Sequence, residues 1–349
     1  MISRMITPLV FSSILVTQPL VAAGDLHGVE GCEVAAALGG NVDYRAAADS
    51  CSFILDTLTL DDPERAKALA YRAAAHRGAG DFSQALADAE KAVRLDPKLP
   101  LAYHYRGAAH GELGEIDEAL SDQNEALKLD PDFAPAYHHR GVAKMMLDDI
   151  EGAIADQDEA IERLPNFAYA YNDRGLAYFA KGDLKQSLRD YDKAIELDEG
   201  FALAYRNRGS AHGGLGDLKQ AITDFDKAIE LDPDYAQTYK DRGLAYLNQK
   251  QYDQAIADYD KALDLQQGLV TAHFGRAVAY LEKGVPEKAI EDLDRTLLVY
   301  PNDPQVYTKR AEAHLQSGNA DAARDDLERV LSLNPDDQDA KAKLEDLNS

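Results

Sequence analysis

The sequence predicts an all-α protein, an α-solenoid of stacked helical hairpins, and two observations carry that prediction. Residues 171–178 read YNDRGLAY and residues 239–246 read YKDRGLAY, nearly the same word 68 residues apart. Set in rows of 34 beginning at Ala66, Pro100, Ala134, Ala168, Ala202, Ala236, Val270 and Pro304, the chain aligns with itself eight times and closes its last row at Asp337. A unit this short cannot bury an apolar face alone, so neighbours must stack.

The first 23 residues stand apart. Arg4 is their only charge, Met5 to Val16 is mostly apolar, and Pro19 precedes Leu20-Val21-Ala22-Ala23. A positive start, a short apolar middle and a small-residue exit mark a secretory signal, with cleavage expected after Ala23. The apolar run of about 12 residues falls short of the roughly 20 that cross a bilayer. Export puts the chain's two cysteines, Cys32 and Cys51, in an oxidising compartment, where an even pair reads as a disulfide. Residues 24–65 then read as a degenerate first hairpin, with Cys32 on one helix, a break at Gly39-Gly40, and a second helix from Asp43 to Leu55. A bridge between those helices would contribute about 3 kcal/mol by restricting the unfolded chain.

Each row then reads as two helices. Apolar residues recur at helical spacing through positions 3–11 and again through 17–30. Position 10 is Ala in every row, position 8 is Gly or Ala, and position 20 is Ala except at Ser187. Such small residues let two helices approach closely. Turns such as Gly182-Asp183 and Gly216-Asp217 supply a glycine to end the first helix and an aspartate to cap the second. Proline at position 32 in six rows cannot continue the second helix and forces its exit. Residues 338–349 close the chain with Ala340, Leu344 and Leu347 on one face among charges, the pattern of a solvating cap helix.

These columns resemble the tetratricopeptide repeat family, with Tyr in its usual aromatic site at position 4 in six rows: Tyr103, Tyr137, Tyr171, Tyr205, Tyr239 and Tyr307. The resemblance covers rows 66–99, 100–133, 134–167, 168–201, 202–235, 236–269, 270–303 and 304–337. It implies a right-handed superhelix whose first helices line a concave groove for peptide or protein segments.

The chain departs from the commoner family pattern at position 7, where Leu gives way to Arg in all eight rows, as at Arg106, Arg140, Arg174, Arg208 and Arg242. Position 23 is equally strict, being Asp throughout, as at Asp122, Asp156, Asp190, Asp224 and Asp258. Two complete columns of opposite charge on facing helices predict a ladder of ion pairs that fixes repeat register. Pairing within a row and pairing with the next row are both compatible with the spacing.

No catalytic constellation or cofactor site emerges. His212-Gly213-Gly214-Leu215-Gly216 resembles a phosphate loop in letters only, since it follows no strand and lacks the closing Lys-Ser/Thr. His76, His110, His212 and His314 share position 11 and read as packing residues; His104, His138 and His139 read as surface histidines facing the groove. A net charge of −25, from 37 basic and 62 acidic residues, argues against nucleic acid and anionic membrane as partners.

What remains is surface. By the resemblance, positions 2, 5, 9, 12 and 13 line the groove, which gives Tyr169, Val142, Met145, Leu176, Phe179, Leu244, Leu247, Phe274, Val278 and Leu281 as contact candidates. Asn172, Arg206 and Lys240 fill position 5 of three successive rows and read as a cationic spot for a ligand carboxylate. Position 9 lacks the Asn with which family members clamp chaperone tails. The expected function is therefore that of a non-enzymatic interaction scaffold in the bacterial cell envelope, periplasmic or secreted, similar to periplasmic repeat proteins of Gram-negative bacteria. The alternatives are a non-catalytic accessory subunit of an envelope enzyme and a cytosolic adaptor.

Overall fold

The computed structural model describes Cys32 and residues 43–348, and among them every regular element is helical. The signal segment 1–23 and most of the first half of the expected leading hairpin lie outside the described residues. The chain divides into two compact units, one ending at Asp198 and one beginning at Glu199.

The first unit holds α1 (Tyr44–Thr57), α2 (Asp62–Gly78), α3 (Phe82–Leu95), α4 (Pro100–Glu112), α5 (Ile116–Leu129), α6 (Ala134–Met146), α7 (Ile150–Arg163), α8 (Ala168–Lys181) and α9 (Leu184–Leu197). The second holds α10 (Ala202–Gly214), α11 (Leu218–Leu231), α12 (Ala236–Asn248), α13 (Tyr252–Leu265), α14 (Val270–Lys283), α15 (Pro286–Val299), α16 (Pro304–Gln316), α17 (Ala320–Leu333) and α18 (Gln338–Asn348). From α2 onward the helices pair as the rows do, with one early start. Asp61 caps α2 in a capping box with Glu64, so that helix begins four residues before its row.

Local chemistry sets the ends. Gly182 takes the left-handed conformation at φ 87°, and Asp183 accepts from the Gln186 N–H to start α9. Asp148 and Lys250 occupy the same left-handed position in two rows that lack glycine there.

Packing follows the small residues. Position 10 alanines such as Ala109, Ala143 and Ala177 are fully buried, and so are Ala153 and Ala221 at position 20. Within each unit the first helix of a pair also touches the first helices of its neighbours, as α2 touches α4 and α12 touches α14. The first helices therefore form the inner side of each unit, and the second helices form the outer side. Cys32 and Cys51 are joined by a disulfide and fully buried against α2. At the other end Ala340, Leu344 and Leu347 of α18 pack on Leu327 and Val330, as a cap should.

Candidate functional site

The arginine ladder forms within rows. Each position 7 arginine places Nε and Nη2 against the two oxygens of its own row's position 23 aspartate, as in Arg140–Asp156 at 2.8 and 2.6 Å and Arg174–Asp190 at 2.9 and 2.7 Å. The remaining nitrogen Nη1 reaches the preceding pair: Arg140 to Asn124, Arg174 to Asp158, Arg242 to Asp226 and Arg310 to Asp294, at 2.6–2.9 Å. One fork thus binds both helices of its own hairpin and the outer helix before it, which is geometry that Lys cannot reproduce. Asp190 and Asp158 hold the Arg174 guanidinium above its ordinary pKa, against the opposing effect of its burial. The tyrosine three residues earlier adds its ring face, with Arg106 5.2 Å from the Tyr103 centroid and Arg310 5.5 Å from that of Tyr307.

Reading the columns two at a time missed these outer acceptors. Position 25 is Glu, Asn or Asp in every row, so the signal was present in the sequence. The position 11 histidines also sit differently from the expectation of simple packing. His76, His110, His212 and His314 lie 3.7–4.0 Å from the ladder aspartates of their own rows, and Lys144 at the same position reaches Asp156 at 2.7 Å.

On the inner side of the first unit, His104, His138 and His139 are buried rather than surface groups. The cause is a filled interior. His139 stacks edge-on against His104 at 4.7 Å and against His138 at 5.3 Å, while Phe133 and Phe167 close on the outer two rings. The His104 Nδ1 bonds Gln123 and the His138 Nδ1 bonds Gln157, each glutamine amide donating back to the backbone carbonyl of its histidine. Arg77, from the last turn of α2, lies over this stack with Nη1 3.3 Å from the His139 Nε2 and 3.7 Å from Glu112. Asp173 faces His138 Nε2 at 3.5 Å. Burial pushes His104 down to about 3 and His138 down to about 4, and raises Glu112 and Asp173 to about 7. Among the described residues no group of three or more His, Cys, Asp or Glu side chains could hold a metal ion.

The groove candidates divide accordingly. In the first unit Asn172 is 1% exposed and donates to Asp173, Val142 and Met145 are buried, and Tyr169, Leu176 and Phe179 are half-buried. Leu176 packs into the cluster around Met145 and Ile154. In the second unit Leu244 is 48% exposed, Leu247, Phe274 and Val278 are half-buried, and Leu281 is buried. Arg206 and Lys240 both bind Asp241, at 2.8 and 2.7 Å, so the expected cationic spot carries a carboxylate at its centre. A second centre of the same kind lies two rows on, where Glu312 takes Lys309 of its own helix at 2.8 Å and Lys343 of α18 at 3.1 Å.

Solved structures share this architecture. The Cut9–Hcn1 hetero-tetramer of the APC/C aligns at TM-score 0.69 and 20% identity, over 91% of this chain and 62% of that one, so the chain spans about three fifths of its relative's length. A tetratricopeptide repeat protein from Parabacteroides merdae aligns at TM-score 0.54 and 20% identity, over 72% of this chain and 99% of that one. The pilF protein of Pseudomonas aeruginosa aligns at TM-score 0.55 and 18% identity, over 62% of this chain and 96% of that one. No curated protein matches. Tetratricopeptide repeat profiles match residues 66–99 and 100–133, 175–216, 202–235 and 236–268, and 276–347. With the eight-row period, the paired helices and these matches in agreement, the chain belongs to the tetratricopeptide repeat family.

Proposed function

We propose that this protein is a non-catalytic scaffold of the bacterial cell envelope that captures a protein or peptide segment on the inner faces of its repeats. The observation that carries the reading is the run of Leu244, Phe274 and Val278 along successive first helices of the second unit, exposed or half-buried and bordered by ion pairs. Apolar side chains gathered on a charged protein mark a contact surface. Membership of the repeat family supports the interaction role. The signal-like residues 1–23 and the Cys32–Cys51 bridge support export, since a disulfide persists in an oxidising compartment. No helix among the described residues is long and apolar enough to cross a membrane.

Two measurements test the reading. A photo-crosslinking amino acid at Leu244 should trap a defined envelope protein in cells, and the same group at exposed Phe53 should not. Sequencing the protein's mature amino terminus should give Gly24; a chain beginning at Met1 would remove the envelope assignment.

A further inference from the structure

The two units treat their inner faces in opposite ways. In the first, positions 5 and 6 of successive rows hold His104, His138, His139 and Asn172, each 3% exposed or less, under an Arg77 that is itself 7% exposed. Arg77 comes from 62 residues before His139, so one side chain spans three successive hairpins across the inner face. The ring of Tyr44 from α1 lies against Gly78 beside it, where a Cβ would collide with that ring. This face is a core: its histidines bond to Gln123 and Gln157 and meet Arg77 Nη1, while the buried Arg77 Nε has no hydrogen-bond partner among the described residues.

In the second unit the same positions hold the buried Asn207 and Gly275, and Arg206, Lys240, Asp241, Phe274, Thr308 and Lys309, which are only half-buried. The cations there gather at two centres. Asp241 is bound by both Arg206 and Lys240, and Glu312 by both Lys309 and Lys343; the three lysines alone outnumber these two carboxylates in a chain of net charge −25. Between the two centres, in row order, stand Leu244, Phe274 and Val278. Asp241 and Glu312 keep their cations despite burial, which by itself would raise both carboxyls; the cations beside them hold both below the ordinary range.

We infer that docking is confined to the second unit, whose inner face takes an extended segment with apolar side chains between two acidic ends, while Arg77 and the histidine stack shut the inner face of the first. The inference rests on the groove reading above and adds its location and the partner's charge. An incoming carboxylate joins each lysine beside the carboxylate it already holds, Lys240 at Asp241 and Lys309 and Lys343 at Glu312, so neither protein carboxylate is left without its cation. Cations placed this way favour an acidic ligand that the protein's overall charge repels.

The test uses the full mature chain and two fluorescein-labelled dodecapeptides. One has two glutamates at each end and leucine and valine between; its twin has lysines for the glutamates. Anisotropy titration should show the glutamate peptide binding at least tenfold more tightly. Lys240→Glu with Lys309→Glu should abolish that preference, and Arg77→Met should leave it intact. Diethyl pyrocarbonate should modify His76 and His212 while sparing His104, His138 and His139, and Arg77→Met should expose these three. Equal or tighter binding of the lysine twin overturns the inference but leaves groove capture standing; no binding of either peptide overturns both. Modification of the three buried histidines as fast as His76 in the wild-type chain overturns the closed first unit.

Discussion

Gly175 of α8 lies so near the ring of Tyr191 in α9 that a Cβ on the glycine would sit 2.8 Å from Tyr191 Cε1. The same relationship holds for Gly209 with Phe225 and for Gly107 with the Gln123 side chain. Where position 8 is alanine, position 24 is smaller or aliphatic: Ala73 with Ala89, Ala277 with Leu293, Ala311 with Leu327. Gly175→Ala should therefore cost about 2 kcal/mol through overpacking, and adding Tyr191→Leu should recover most of it. Urea unfolding of the two variants measures this, and an unrescued double variant would show that the fit is not the cause.

The ladder makes a separate claim about charge. Asp190 keeps only 3% of its side chain exposed, so removing its arginine strands a buried carboxylate. Arg174→Met should lose about 3 kcal/mol, whereas Arg174→Met with Asp190→Leu should lose much less, because the uncompensated charge leaves with its partner. Equal losses in the two variants would mean the pair is not coupled. Arg174→Lys should also be destabilised, since one ammonium cannot serve Asp190 and Asp158 in fork geometry.

Acid should weaken the first unit through its buried histidines. His104 is held near 3 by burial, against about 6.5 in an unfolded chain, so the unfolded state binds more protons between those values. Its contribution is complete above about pH 6.5 and is lost as pH falls; at pH 5 the loss is about 2 kcal/mol. Glu112 runs the other way, because burial raises it from 4.5 to about 7 and it withdraws stability as pH rises through that window. Urea midpoints at pH 7.5 and pH 5 should show His104→Asn flattening the acid loss and Glu112→Gln steepening it.

The disulfide should matter to the first unit. It closes a separation of 19 residues at the end of the array, where α1 has a described repeat neighbour on one side only. Reduction, or Cys51→Ser, should lower the first unit's stability by about 3 kcal/mol. Hydrogen exchange resolved by peptide should find the change in α1 and α2 and none in α16 to α18.

The sequence by itself determined the helices, their pairing and the ladder's two columns, because each depends on residues repeated at a period of 34. A column that recurs in every row reports a contact made in every row, so the arginine and aspartate columns could be matched to each other, while the choice of Asp156 in its own row as the partner of Arg140 came from the structure. Only the tertiary structure decided what happens at positions 5 and 6, where the rows differ. There the neighbours of a side chain come from other repeats, and Arg77 meets His139 across 62 residues with no periodic signal to announce it. The same cause hid Asp241 from the expected cationic spot, since Arg206 reaches it one row away. Periodicity encodes what each repeat shares with the next, and the inner faces are made from what they do not share.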